Sequence, residues 1–213
     1  MRTIDLQTWP RYTHYKLYRS FDHPHYSLGA NLDVSEFYPA VKEKGISLSA
    51  AIIYVIASAA NKVPELRMRM RGELVVEHEV VHPSFTVLTE DELFGFCHVE
   101  YTPVFAEFAG RAVEGIASVR ENPTLQDDPG RDDRLFMTAL PWVAFTHFTH
   151  PMNLQAGDSI PRFIWGKIFP ESGRWKMPVG VQAHHALVDG LHMGRFFEAA
   201  QALATNFEGE YLS

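Results

Sequence analysis

Residues Met177–His192 read MPVGVQAHHALVDGLH, and the architecture of the chain turns on them. Read as a strand, Met177, Val179, Val181, Ala183 and His185 share one face while Gln182 and His184 share the other. The paired histidines therefore point in opposite directions, and only one of them serves a given site. Asp189-Gly190 marks the passage from strand to a terminal helix expected from Gly190 to about Phe207, with Met193, Phe196, Phe197 and Ala200 on one stripe. Asp189 suits the cap of that helix, and Gly190 permits a close backbone approach. Histidine suits proton transfer, since a reference pKa of ~6.5 leaves both a neutral base and a workable acid near neutrality. A hydrogen-bonded structural histidine beside a capping aspartate fits the same spacing, which leaves both readings open. His185, Asp189 and His192 match no familiar zinc spacing, so no metal is expected.

Working outward, strands are expected at Phe136–Leu140, Val143–Phe148, Arg162–Phe169 and Trp175–His185, with Ser172-Gly173 turning between the last two. Nearer the N-terminus, Asp33 and Glu36 have capping-box spacing for a helix that Gly45 stops. Ser47 then caps a second helix through Leu48, Ala51, Ile52, Val55, Ile56 and Ala59, ended by Pro64. From Arg67 the period falls to two: Arg67–Arg71 and Glu73–Glu77 form a hairpin about Gly72, followed by strands near Phe85–Leu88 and Leu93–Val99. Pro103 opens a third helix that Asn122-Pro123 closes, before a charged loop, Gln126–Arg134, expected to be exposed and mobile. Helix, helix, strands, helix, strands, helix implies an α/β layer fold with a mixed sheet, and 213 residues suit one domain over 1–213.

Nineteen Lys and Arg against 26 Asp and Glu give a net charge of -7, so no broad basic face is available for nucleic acid. The N-terminus has no apolar stretch of signal-peptide length, and Ser49 and Ser58 interrupt the longest apolar run, Leu48 to Ala60. No membrane partner is expected, and the protein reads as soluble and cytoplasmic. Cys97 is the single cysteine, which excludes an internal disulfide and reads as a buried strand residue. Tyr101 and Trp165 read as packing residues.

The stretch QAHHALVDGLHMGRFFEAAQ closely resembles the His-His-x-x-x-Asp-Gly motif of the chloramphenicol acetyltransferase family, within the wider coenzyme A-dependent acyltransferases. Trp9, Arg11, His14 and Tyr18 resemble its N-terminal segment, Glu65-Leu66-Arg67-Met68 its hairpin entry and Ala139-Leu140-Pro141-Trp142 its central strand. The blocks occur in order across nearly the whole chain. The resemblance implies a two-layer α/β subunit, its mixed, mainly antiparallel sheet packed against helices. It further implies a homotrimer with active sites between subunits and a ternary complex of acetyl-CoA and an acceptor alcohol, with no acyl-enzyme and no permanently bound cofactor.

On the same resemblance His185 is the general base, and Asp189 pairs with Arg11 to hold the catalytic loop. Thr138 stands where the family usually has a serine that donates to the oxyanion. Threonine keeps the hydroxyl but stiffens χ1. Tyr18, Tyr26, Phe94 and Phe148 carry over as the aromatic lining of the acceptor pocket. His150 replaces a usual aliphatic residue, Ile164 a threonine that helps hold a water, and Lys167 matches a basic residue near the coenzyme's phosphate. The expected activity is inactivation of chloramphenicol by O-acetylation, an antibiotic-resistance function. The changes at His150 and Ile164 keep another hydroxylated acceptor open. A non-catalytic binding trimer is the remaining alternative, against which His185 and the Thr138 hydroxyl both argue.

Overall fold

A computed structural model describes residues 1–127, 130–153 and 157–212. In chain order these form β1 (Arg2–Thr3), α1 (Tyr12–Arg19), β2 (His25–Asp33), α2 (Phe37–Glu43), α3 (Leu48–Asn61), β3 (Met68–Arg71) and β4 (Leu74–Glu77). β5 (His82–Leu88), β6 (Phe94–His98), α4 (Phe105–Glu121), β7 (Arg134–Leu140), β8 (Arg162–Gly166), β9 (Phe169–Glu171), β10 (Arg174–His184) and α5 (Gly190–Tyr211) follow. The large sheet has the order β2-β10-β8-β7-β5-β6, with β9 also paired to β10. β7 is parallel to β5 and β8, and the other pairings are antiparallel. A small sheet, β1-β4-β3, stands apart. This is the mixed, mainly antiparallel α/β fold that the sequence implies.

Alternation divides the large sheet into two unlike faces. Met177, Val179, Val181 and Ala183 of β10, with Phe163 and Trp165 of β8 and Met137 of β7, are buried in the main apolar cluster. Against them lies α3, whose residues Ala50–Ala60 are all buried, as expected of a helix apolar on every side. Ser47 caps it by accepting the Ala50 N–H. Each Ile or Val sealed there contributes about 1.5–3 kcal/mol over leaving it exposed. The opposite face is polar: Ser84, Arg162, Gln182 and His184 lie on it, all buried.

Residues 143–148 do not form the expected strand. β10 already lies between β2 and β8, and β7 between β5 and β8, so no edge is open beside them. The segment crosses the polar face instead, where Phe148 presses on β10 so closely that a Cβ on Gly180 would stand 2.0 Å from its ring. Asp33 does not cap α2, because its carboxylate receives Arg174 and Lys176 from β10. The loop expected to be exposed at Gln126–Arg134 is anchored at its end: Asp132 accepts two hydrogen bonds from Arg71 and one from His78. Buried Arg69 binds the Asp132 and Arg134 carbonyls. Two positions of that loop, 128 and 129, lie outside the described residues. The expected strand Arg162–Phe169 divides into β8 and β9, and α5 continues past Phe207 to Tyr211.

Candidate active site

His185 follows the last residue of β10 directly, in the short turn that leads into α5. Its backbone N–H donates to Pro24 O at 2.8 Å, which ties the turn to the chain entering β2. Its Nδ1 lies 3.1 Å from Val188 O. A carbonyl only accepts, so Nδ1 carries the proton and the lone pair falls on Nε2. Tyr18 stacks on the imidazole with ring centres 3.8 Å apart, and Tyr26 closes on it at 4.6 Å. The base expected at this position is thus fixed in both tautomer and plane.

Arg11, immediately before α1, reaches the same turn from the far end of the sequence. It donates to His185 O at 2.8 Å, to Ala186 O at 3.1 Å and to Asp189 Oδ2. Asp189 caps α5 through Oδ1, which accepts the Leu191 N–H at 3.1 Å. Burial works against its charge, but Arg11, His192 and the Leu191 N–H together hold the carboxyl below its ordinary range. His184 faces elsewhere: it is buried, its Nδ1 accepts the Ala186 N–H, and its ring meets His25 edge-on at 4.8 Å. Burial first, then the charge of His25, push His184 down to about 4.

Thr138 belongs to a second place. It lines a cavity of about 740 Å³ at the β5–β6–β7 side of the sheet, with Phe94, Phe96, Trp142, His150 and Arg162 in the wall, a volume typical of small-molecule sites. Register pairs Thr138 with Ile164 and Ile164 with Gly180, while His185 is five residues further along and two strands over. At about 3.3 Å per residue and 4.8 Å per strand, the two groups are on the order of 15–20 Å apart. One chain cannot apply both to one carbon atom.

The family model for chloramphenicol acetyltransferase matches residues 1–201. The chain belongs to the chloramphenicol acetyltransferase family. It is 32% identical to a chloramphenicol acetyltransferase of a Klebsiella species, over 97% of this chain and 95% of the relative. To chloramphenicol acetyltransferase 2 of Haemophilus influenzae it is 33% identical, over 95% and 96%. A solved chloramphenicol acetyltransferase superposes with a TM-score of 0.85 at 23% identity, covering 95% of this chain and 99% of the other. A dihydrolipoamide acetyltransferase of Azotobacter vinelandii shares the fold at TM-score 0.65 and 18% identity, covering 92% and 87%.

Within this chain of the acetyltransferase family the sequence-derived site residues fall into three groups. Arg11, Tyr18, Tyr26, His185 and Asp189 converge at the turn before α5, and Thr138, Phe94 and His150 converge on the cavity. Phe148 and Ile164 are buried on the polar face between them and line neither, and Lys167 is exposed just beyond β8. His150 hangs from Gln182, whose Oε1 accepts its backbone N–H at 2.8 Å and lies 3.2 Å from Nδ1. Burial lowers its pKa, so the ring is neutral and its Nδ1 is the donor. Arg162 has no signal in the sequence that marks it as a site residue. It is buried in the cavity wall against Phe136 and paired to Asp158 four residues before it, a spacing legible only to a reader who knew the wall.

Proposed function

We propose that the protein transfers the acetyl group of acetyl-CoA to a hydroxyl of chloramphenicol, in a ternary complex, at sites completed between neighbouring copies of a homotrimer. Family membership supports the reaction, and the fixed tautomer of His185 is the observation that carries the mechanism. Nε2 takes the acceptor's proton as its oxygen attacks the thioester carbonyl. The Thr138 hydroxyl donates to the oxyanion of the tetrahedral intermediate. Collapse breaks the carbon–sulfur bond, and the imidazolium returns its proton to the coenzyme thiolate, leaving the acetyl ester and free coenzyme A. Arg11 and Asp189 take no part in bond changes and hold the turn that aims the ring.

The separation of Thr138 from His185 supports a site shared by two copies: the base from one, the oxyanion donor and the cavity from the next. Both regions carry apolar surface suited to such contact. Leu17 and Phe21 are exposed beside the His185 turn, and Trp142, Phe94 and Leu88 around the cavity. Tyr18, Tyr26 and Phe94 supply aromatic surface toward the acceptor, and Lys167 a charge toward the coenzyme's phosphate. Acetyl-CoA as donor supports a cytoplasmic location. A second reading keeps the chemistry and changes the acceptor: His150 and Arg162 put two polar groups in the cavity wall, which favour a hydroxylated substrate richer in hydrogen-bonding groups.

Release of free thiol from acetyl-CoA, followed with chloramphenicol and with a panel of other alcohols and amines, tests both readings. Thiol release that depends on chloramphenicol, with the acetyl ester recovered, is the expected result. Turnover of another alcohol with none of chloramphenicol would transfer the substrate to the second reading, and release without any acceptor would overturn the ternary mechanism.

A further inference from the structure

His192 stands in the first turn of α5, buried, and the chemistry above gives it nothing to do. The Asp189 N–H donates to its Nδ1 at 3.0 Å. Nδ1 is therefore an acceptor, and the ring proton sits on Nε2, 3.4 Å from Glu65 Oε1. Glu65 comes from the turn at Pro64–Arg67, and its other carboxylate oxygen is buried without a hydrogen-bond partner among the described residues. Position 192 is where a capping box ordinarily has Glu or Gln reaching back to the capping residue's N–H. Here the reaching group is a ring whose acceptor vanishes when it binds a proton.

The consequences run directly to the base. Asp189 is held at its N–H by His192, at Oδ1 by the Leu191 N–H, at Oδ2 by Arg11 and at its carbonyl by the Met193 N–H. Arg11 holds the carbonyls of His185 and Ala186, and Val188, next to Asp189, supplies the carbonyl that fixes the His185 tautomer. We propose that neutral His192 is a positioning residue for His185, its Nδ1 pinning the backbone at Asp189 and so the turn that aims the imidazole. This rests on His185 being the base.

Protonation of His192 would turn its Nδ1 into a donor, set against the Asp189 N–H and drawn to Asp189 Oδ1 at 3.2 Å. The Asp189 N–H would lose its acceptor. Four charged groups face the ring: Glu65 and Asp189 favour its protonation, and Arg11 and Arg195 oppose it. Burial outweighs the carboxylates, and the ring is held below the ordinary histidine range.

Steady-state kinetics and thermal unfolding of the full-length variants His192→Asn, His192→Gln and His192→Phe test the proposal. Asn places an acceptor where Nδ1 stands, Gln is the residue a capping box ordinarily uses to reach the same N–H, and Phe supplies no acceptor. His192→Phe is expected to lose about tenfold to a hundredfold in kcat, the scale of a misaimed catalytic group, with KM for both substrates nearly unchanged. His192→Asn and His192→Gln are expected to recover most of that loss. As pH drops, the wild-type kcat should fall more steeply than that of His192→Asn, which has no ring to protonate. Losses in Asn and Gln equal to that in Phe, an unimpaired kcat in Phe, a change confined to thermal stability, or a wild-type pH profile no steeper than that of His192→Asn would each overturn it. If His192→Phe does not fold, the pH profiles of the wild type and His192→Asn decide. An active His185→Ala would remove the underlying assignment; an inactive His185→Ala beside wild-type behaviour in every His192 variant would remove this inference alone.

Discussion

The His185 turn and the Thr138 cavity solve opposite problems with the same sheet. At the turn, Pro24 O, Val188 O, Arg11 and two tyrosine rings leave the imidazole one orientation. At the cavity, Thr138 borders about 740 Å³ of space whose rim includes Trp142, Phe94 and Leu88, each about half exposed or more. One region is built to hold a chemical group still, the other to admit something. Rigid aim costs interactions that a single chain can provide from its own two ends, whereas the cavity lies open at its rim. On the proposed trimer, assembly is the step that joins two regions separated across β10, β8 and β7.

The largest expected effects break that division of labour. His185→Ala should lower kcat by about 10²–10⁴ and Thr138→Val by about 10²–10³, with Thr138→Ser retaining activity. Co-expressing the two inactive chains should then restore roughly a quarter of wild-type activity under random assembly, because some interfaces pair an intact His185 with an intact Thr138. No recovery, in the presence of mixed trimers shown by mass spectrometry, would place both groups in one chain's site and reject the interface.

Arg11→Leu probes the turn alone. The guanidinium is 12% exposed and its Asp189 partner 34%, so the pair lies between a surface and a buried ion pair. Its loss should cost about 1–3 kcal/mol, seen as a Tm lower by several degrees, together with a fall in kcat that exceeds any change in KM. An Arg11→Leu enzyme with a normal kcat and only a lower Tm would show that His185 is aimed without it.

What could be read from sequence was what is settled locally. The alternation of β10, the Ser47 cap and the Gly72 hairpin depend on neighbours a few residues away, and all are present. β2 is not legible in the sequence because it pairs along one side only, with β10, and most of its residues are partly or wholly exposed, so its apolar contrast is weak. α1 buries only Tyr15. Residues 143–148 alternate like a strand but find no sheet edge, and Asp33 has capping spacing but binds cations 141 and 143 residues away. At the site, His185 and Asp189 lie within one motif, while Arg11 acts across 178 residues and entered only through family resemblance. Glu65, His25 and Arg162 carry no local pattern, since packing alone decides whom they meet.

The smallest expected effect separates the two regions by acid. His184 lies beneath the turn, buried and edge-on to His25, with its Nδ1 committed to the Ala186 N–H. Its pKa is pushed down to about 4 in the folded protein against an ordinary histidine value of about 6.5, so the unfolded chain takes up its proton first. Stability is then unaffected well above pH 6.5 and falls as pH drops from there toward 4, by about 1 kcal/mol at pH 5.5. Carboxylates held below their ordinary range, Asp189 among them, begin to weaken the fold only nearer their unfolded values, at the acid end of this window. His25 and His192 are lowered by burial in the same sense and also sit at the turn, while the cavity contributes His150. Urea unfolding between pH 7 and 5 should therefore show a declining midpoint that is shallower in His184→Asn, which keeps an acceptor for Ala186 and cannot titrate. An unchanged slope in that variant would mean His184 contributes nothing to the acid sensitivity, and the turn would then owe its pH response to His192 and His25.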